Sequence, residues 1–421
     1  MMRYAASGDG KHVIVIGAGV IGAACAHYLT ESGWRVTIID RGRFGAGCSH
    51  ANCGYVCPSH VLPLPGPGAV SSALKTMMRR NSPMRVRPWK SLSLMRWLLA
   101  FARRCNRQDM LQGGRGIQPL LTTSRALYEG LVRDGIECEW EARGLLFVFQ
   151  SHAGMEHYKA TDELLRTEFG VPATPLAGVA LRELEPTLKP GLGGGWLYET
   201  DAHLRPDRLM KSWRALLKSR GVIIRENCAM KAFVRDGGQA KAASTADGEL
   251  SADAFVLAAG AWSPLLNDRL GCRLPIQPGK GYSMTTARPA NCPKIPMIFE
   301  EHRVAVTPMQ SGYRLGSMME FVGYDDSVSP KRIEYLKQAA SLYLAEPVGK
   351  PVQETWSGWR PMTPDGLPVI GRSPALSNVM IAAGHNMLGL SMAPGTGKLV
   401  AEIMDGRATH IDPGPFSPGR F

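Results

Sequence analysis

The stretch Lys11 to Asp40, KHVIVIGAGVIGAACAHYLTESGWRVTIID, restricts what this chain can fold into more than any other part of it. A β-branched run from Val13 to Ile16 enters Gly17-Ala18-Gly19-Val20-Ile21-Gly22. An apolar helical pattern follows through Leu29, and a second apolar run closes on Asp40. The order is strand, turn, helix, strand. Gly17 permits the tight turn, Gly19 lets the backbone approach a pyrophosphate, and Gly22 lets the helix pack closely on the strand. A diphosphate suits the positive end of that helix, where free N–H groups point outward. Asp40, at the tip of the second strand with Arg41 next to it, is placed to accept the ribose hydroxyls. The expectation is a dinucleotide bound on a doubly wound α/β fold.

The rest of the chain reads as a second module inserted into the first. A glycine- and cysteine-rich loop, Gly42 to Cys57, leads into LPLPGPG, which turns the chain away from the nucleotide fold. Helical patterns dominate from Ala69 to Gly135. A strand-like run, GLLFVFQ, follows at Gly144 to Gln150, and then a charged helix near Met155 to Phe169. An amphipathic helix at Pro206 to Ser219 precedes the strand Val222 to Arg225, and ADAFVLAAG at Ala252 to Gly260 has the form of a third central strand. Residues 271 to 350 read as turns and short β runs. Val379 to Ala383 and Gly397 to Met404 return to the nucleotide module as strand and helix.

At 421 residues, 44% of them apolar, the chain is long enough for two interleaved domains. Nine cysteines and no apparent secretory leader suggest reduced thiols and a cytoplasmic setting. No segment offers eighteen uninterrupted apolar residues, so no transmembrane helix is expected. Cys48, Cys53 and Cys57 lack the two-residue spacing usual for zinc or iron–sulfur ligation, and no metal is expected there. The net charge of +13 is concentrated: no acid lies between Asp40 and Asp109, and the segment Lys75 to Arg107 is strongly basic. It carries no nucleic-acid motif, and nucleic acid is not an expected partner. Within it, Ser91 to Arg107 is amphipathic, with Arg96, Arg103 and Arg107 on one face and Trp97 among the apolar residues. Such a helix suits the anionic inner face of the cell membrane, although a helix packed on the protein body gives the same pattern.

Several spaced motifs carry a more specific resemblance. The fingerprint is followed by SHANCG, AAGAW at Ala258 to Trp262, KGYSMT at Lys280 to Thr285, GWRPMTPDGLPVIG at Gly358 to Gly371, and AAGHNMLGLSMAPGTG at Ala382 to Gly397. Together these resemble the FAD-dependent D-amino-acid oxidase superfamily, nearest to its bacterial D-amino-acid dehydrogenases. The resemblance implies a Rossmann-type FAD-binding domain (1–60, 178–265 and 355–421). It is interleaved with an α+β substrate domain carrying a mostly antiparallel sheet (61–177 and 266–354), as in glycine oxidase.

Residue by residue, the resemblance implies that Gly17, Gly19, Val20, Ile21, Gly22, Asp40 and Arg41 hold the ADP half of FAD. Ser49 to Gly54 wraps the pyrophosphate and flavin, with His50 able to meet flavin or substrate. Met230 lies at the adenine edge, Ala259 and Gly260 flank the diphosphate, and Gly389, Leu390 and Ser391 open a helix facing the negative end of the flavin ring. Arg360 resembles a clamp for the substrate carboxylate, a role suited to its planar two-donor fork. Tyr282 is expected to cover the same end of the site. His385 is a candidate proton acceptor, with a backbone-bonded loop histidine as the plain alternative. Some relatives place an arginine one or two positions beyond that histidine, where this chain has Asn386 and Met387.

The implied reaction is oxidative deamination of a D-amino acid. Hydride passes from Cα to flavin N5, the imino acid hydrolyses to a 2-oxo acid and ammonia, and a quinone or other respiratory acceptor takes the electrons. Two alternatives share the motifs: a glycine- or sarcosine-type oxidase using oxygen, and a D-hydroxyproline- or D-proline-type dehydrogenase acting as a subunit of a larger redox complex.

Overall fold

The computed structural model describes residues 10–77, 82–86, 91–266 and 270–421. Strand His12–Ile16 is the centre of a six-stranded sheet, in the order Val369–Arg372, Val379–Ala383, Ala254–Leu257, His12–Ile16, Arg35–Ile39, Ile223–Arg225. Its strands are parallel except for the antiparallel edge strand Val369–Arg372. Both faces are covered, which is why HVIVI and AFVL are apolar throughout instead of alternating. Helix Val20–Glu31 is almost wholly buried, because it lies between this sheet and helix Gly389–Asp405. The two helices approach so closely that a Cβ on Gly397 would strike the backbone of Ala24.

The second sheet is larger. Its path runs Val352–Met362, Gln277–Thr286, Gly312–Phe321, Val304–Met309, Met297–Phe299, Leu145–Phe149, Gly194–Tyr198, Thr174–Leu176, with Met84–Val86 beside Gly312–Phe321. Most pairs are antiparallel. Residues 271 to 350 therefore hold two ten-residue strands rather than only short runs. Glycines and polar residues hid their length from a reading by apolar periodicity, and cross-strand pairing supplies what local propensity lacks. Two strands cross the domain boundaries expected from the sequence: Gly194–Tyr198 lies beyond residue 178, and Val352–Met362 spans 355, yet both pair in the large sheet. A three-stranded sheet over 232–251 was not foreseen.

The closing helix starts at Gly389, where the resemblance put its opening and eight residues before the apolar pattern begins at Gly397. Pro394 falls in its second turn and has no N–H to give Leu390 O, the carbonyl four residues back. The long helix Arg107–Arg133 braces it: Tyr128 donates its hydroxyl to Leu390 O (2.8 Å), and Ser124 Oγ accepts from the Gly395 amide (3.0 Å).

The basic amphipathic helix spans Leu92–Arg104, capped by Ser91, so Arg107 belongs to the next helix and does not share its face. Leu94 and Trp97 are buried, with Trp97 stacked on Phe101 and in tilted contact with Phe321. On the outer side Leu92, Met95 and Leu99 are 62%, 46% and 61% exposed. Of the basic segment, Arg79, Arg80, Arg87 and Lys90 lie outside the described residues.

Candidate active site

A cleft of about 580 Å³ opens at the C-terminal ends of the parallel strands, where the strand order reverses and ligands of such folds sit. Gly17, Gly19, Val20 and Ile21 form its floor. Gly17 has φ +112°, and a Cβ there would run into Ala258 O; one on Gly22 would overlap Gly17 O. A Cβ on Gly19 would meet only Ser49 Oγ, at 3.4 Å, so Gly19 keeps the floor open instead of tightening the packing. Gly22 is buried behind that floor.

Asp40 enters the cleft from the tip of its strand. One carboxylate oxygen accepts from the Ala18 amide and the other from the Gly42 amide, each at 2.7 Å. Each oxygen retains a lone pair for a sugar hydroxyl. Arg41 lies 4.8 Å from the ring centroid of Trp262, which contacts Tyr324 and Trp359 in turn. Trp262 and Trp359 line one side of the cleft with Tyr324 packed against both, and the AAGAW and GWRPM motifs contain the two tryptophans.

Ser49 accepts from the Val20 amide (2.9 Å), so the flavin-loop serine caps the fingerprint helix, a contact worth about 1 kcal/mol. Its own O–H stays free to donate to an anion. Met230, Ala259 and Gly260 line the cleft further along, and Gly389 and Leu390 form its end. The closing helix has no side-chain cap and no acid in its first turn. Its first amides therefore present a positive dipole end to the cleft. Ser391 does not line it: this hydroxyl donates to Tyr55 O (2.9 Å) and accepts from the Cys57 amide (3.3 Å), tying the helix to the flavin loop.

A dinucleotide fits these features: a glycine floor, an acid for ribose, a capped helix start for phosphate, and a second helix start at the far end. Nothing at the floor needs a Cβ removed except where backbone crosses backbone.

Arg360 lines the far end. Its guanidinium lies over Gly281, where any Cβ would collide with it, and Nη1 donates to Met318 O (2.8 Å). That carbonyl is turned toward Arg360 by a bulge: Lys280 pairs with Glu320 but Tyr282 with Ser317, and Met318 adopts φ +74°. A left-handed non-glycine residue costs roughly 1–3 kcal/mol and marks a constrained position. The remaining guanidinium donors are left for a ligand. Cys48 also lines this end; burial pushes its thiol up, and Arg360 opposes that shift.

Tyr282 is on the opposite face of the large sheet from Arg360. Gly281 carries the guanidinium, so its neighbour points the other way, into the core beneath helix Pro330–Ser341. Its hydroxyl donates to Glu320 (2.9 Å), which also takes Arg332 Nε (2.8 Å). Burial, then Glu320, raises its pKa. The expected cover over the substrate is therefore displaced by strand alternation. His50 is likewise turned out of the cleft lining, bonded to Glu354 (2.8 Å) at a half-exposed position.

His385 lines the cleft and is buried, with Nε2 3.0 Å from Thr396 Oγ1. Burial brings its pKa down to about 3, so it is neutral at ordinary pH. Asn386 is one of the two positions, with Met387, at which the resemblance allowed an arginine. It has φ +51°, its Oδ1 accepts from the Thr363 amide (2.9 Å), and its amide nitrogen donates to Gly384 O (2.9 Å). It is a structural clamp on the strand end after Arg360.

Among the described residues one group has metal-ligand chemistry: Cys57, His60 and Asp201, with ligand atoms within 4.8 Å of one another. Ser59 satisfies both Asp201 oxygens (Oγ at 2.5 Å, amide at 3.0 Å) and contacts His60 Nδ1 (3.2 Å). The group is closed by its own hydrogen bonds. All nine cysteines are free thiols.

The fold and cleft define a flavin- or nicotinamide-type dinucleotide enzyme, and comparison with known proteins resolves which. Residues 12–403 match the family described as DAO, FAD dependent oxidoreductase, and the chain belongs to that family of FAD-dependent enzymes. It is 32% identical over 417 residues to a D-amino acid dehydrogenase of Paramagnetospirillum magneticum, covering 97% of this chain and 98% of that one. It is 33% identical over 424 residues to a D-amino acid dehydrogenase of Methylobacterium radiotolerans, at 97% and 99% coverage. Glycine oxidase from Geobacillus kaustophilus shares the fold, with a TM-score of 0.79 at 24% identity over 98% of this chain and 99% of that chain.

Proposed function

We propose that this chain is an FAD-dependent D-amino-acid dehydrogenase, and the observation that carries the reading is Arg360. It is held at the far end of the cleft by Met318 O over a glycine, with donors to spare for one carboxylate. FAD, when bound, supplies the acceptor for the two electrons and the hydrogen that leave Cα. The protein's part is positioning: Arg360 fixes the carboxylate, and the neutral His385 adds no competing charge beside the amine. Arg360→Ala should raise KM for a D-amino acid at least tenfold with FAD still bound. An unchanged KM in steady-state assays with a dye acceptor would discard the clamp. A panel of amino acids of both hands in the same assay identifies the substrate, and D-amino acids are expected to reduce the flavin.

A membrane quinone as electron acceptor is supported by helix Leu92–Arg104. Its exposed Leu92, Met95 and Leu99 stand beside Arg96, Arg103 and Arg104, a combination suited to an anionic bilayer surface. No helix among the described residues is long and apolar enough to cross a membrane, so contact of this kind is peripheral. Air-saturated buffer without a dye distinguishes the oxidase alternative: little turnover is expected.

A further inference from the structure

Arg314 is the charged side chain that the cleft geometry leaves unexplained. It lies on strand Gly312–Phe321, opposite Thr285, on the sheet face that carries Arg360, and is 1% exposed. Nε donates to Thr285 Oγ1 (2.9 Å) and Nη1 to Asn52 O (2.7 Å). Asn52 lines the cleft, so only one residue of the flavin loop separates this guanidinium from it.

Its countercharge is incomplete. The facing carboxylate, Asp207, is 3.6 Å from Nη2 and is already held by Arg205 Nε, at 3.1 Å from both oxygens. The next acid, Glu354, sits across the sheet at the Thr285 position and is bonded to His50 at the surface. Cys53, also near, is a thiol whose ionisation burial opposes. Two guanidiniums thus share one close, partly exposed carboxylate, and the buried one, Arg314, stands farther from it, an arrangement that favours a further negative charge nearby.

The hydrogen bond to Asn52 has a second effect. In a trans peptide the N–H points opposite to the C=O. Drawing Asn52 O toward the sheet therefore turns the Cys53 N–H away from the sheet, toward the cleft side of the loop.

We propose that Arg314 is a positioning residue for the cofactor: it orients the Asn52–Cys53 peptide toward the flavin and, with its buried charge, favours the reduced, anionic state. This rests on the reading of the cleft as the FAD site. Reduction adds two electrons and one proton from Cα–H, so the cofactor gains one negative charge, which a fixed buried cation stabilises.

The test is the midpoint potential of bound FAD, by dye equilibration, in Arg314→Met and Arg314→Lys. Arg314→Met should keep FAD yet lower the reduced-to-oxidised ratio at fixed potential about tenfold, a shift of about 30 mV for a two-electron couple. Arg314→Lys should recover part of it. The KM should stay near wild type, since Arg360 is untouched, while kcat falls. FAD-loaded Arg314→Met with the wild-type potential overturns the proposal. If that variant does not fold, Asp207→Asn removes the shared countercharge and should move the potential upward; no movement overturns the proposal equally. Wild-type protein that binds no FAD would instead sink the reading of the cleft.

Discussion

At the residue scale, alternation along strand Gln277–Thr286 separates two neighbours that one motif had joined. Gly281 supports Arg360 on the cleft face, and Tyr282 points into the core to Glu320. Tyr282→Phe should therefore leave KM within about twofold of wild type. It should lower stability by about 1–2 kcal/mol through the partner lost by Glu320, read from denaturant midpoints. A tenfold rise in KM would return Tyr282 to the substrate. His385 makes a pH prediction of definite sign. Its folded pKa, about 3, lies below the unfolded value of 6.5. Above pH 6.5 neither state is protonated and there is no effect. As pH falls below 6.5 the unfolded chain binds the proton first, so stability drops toward acid by up to about 1.4 kcal/mol per pH unit. His60, at about 4, adds the same trend, while Asp201, raised to about 7, works against it between pH 4 and 7. The His385→Gln variant should show a shallower loss of Tm between pH 6.5 and 5 than wild type. Equal slopes would remove His385 from the acid response.

At the element scale, the closing helix determines how the cleft ends. It packs on the fingerprint helix through Gly397 and Ala24, and on Arg107–Arg133 through Gly395, so its start is fixed at the cleft by contacts along its length. Gly397→Ala should lower stability by about 1–3 kcal/mol through overpacking and weaken FAD retention, as thermal denaturation and the 450 nm flavin absorbance would report. An unshifted Tm would mean that the helices part without penalty. Apolar periodicity marks only the second half of this helix, because GLSMAPG looks like a loop, and its opening at Gly389 came from the resemblance alone. Burial on all sides overrides the low propensity of its glycines and proline.

At the scale of the whole molecule, the two sheets meet so that the parallel one provides the floor and the antiparallel one the far wall. The exposed ridge Leu92, Met95, Leu99 lies on a helix whose other face is anchored by Trp97 to Phe321 and to Met362 O (3.0 Å). That anchoring links a surface feature to the strand carrying Arg360. Protein should pellet with anionic vesicles at low salt and release at high salt, and the Leu92→Glu/Leu99→Glu pair should abolish pelleting without changing dye-linked turnover. Retained pelleting would assign the ridge to another role.

The chain's own sequence determined the nucleotide fold, the glycine floor and the place of Asp40, because these depend on local backbone demands; Arg360 was singled out by the resemblance of its motif. Tertiary structure alone decided the rest. Which of Gly281 and Tyr282 faces the cleft follows from strand register; what Asn386 does follows from a partner twenty-three residues away. That Arg314 lies behind the flavin loop follows from a contact spanning 262 residues. Such pairings are set by packing between distant segments, and no local pattern encodes them.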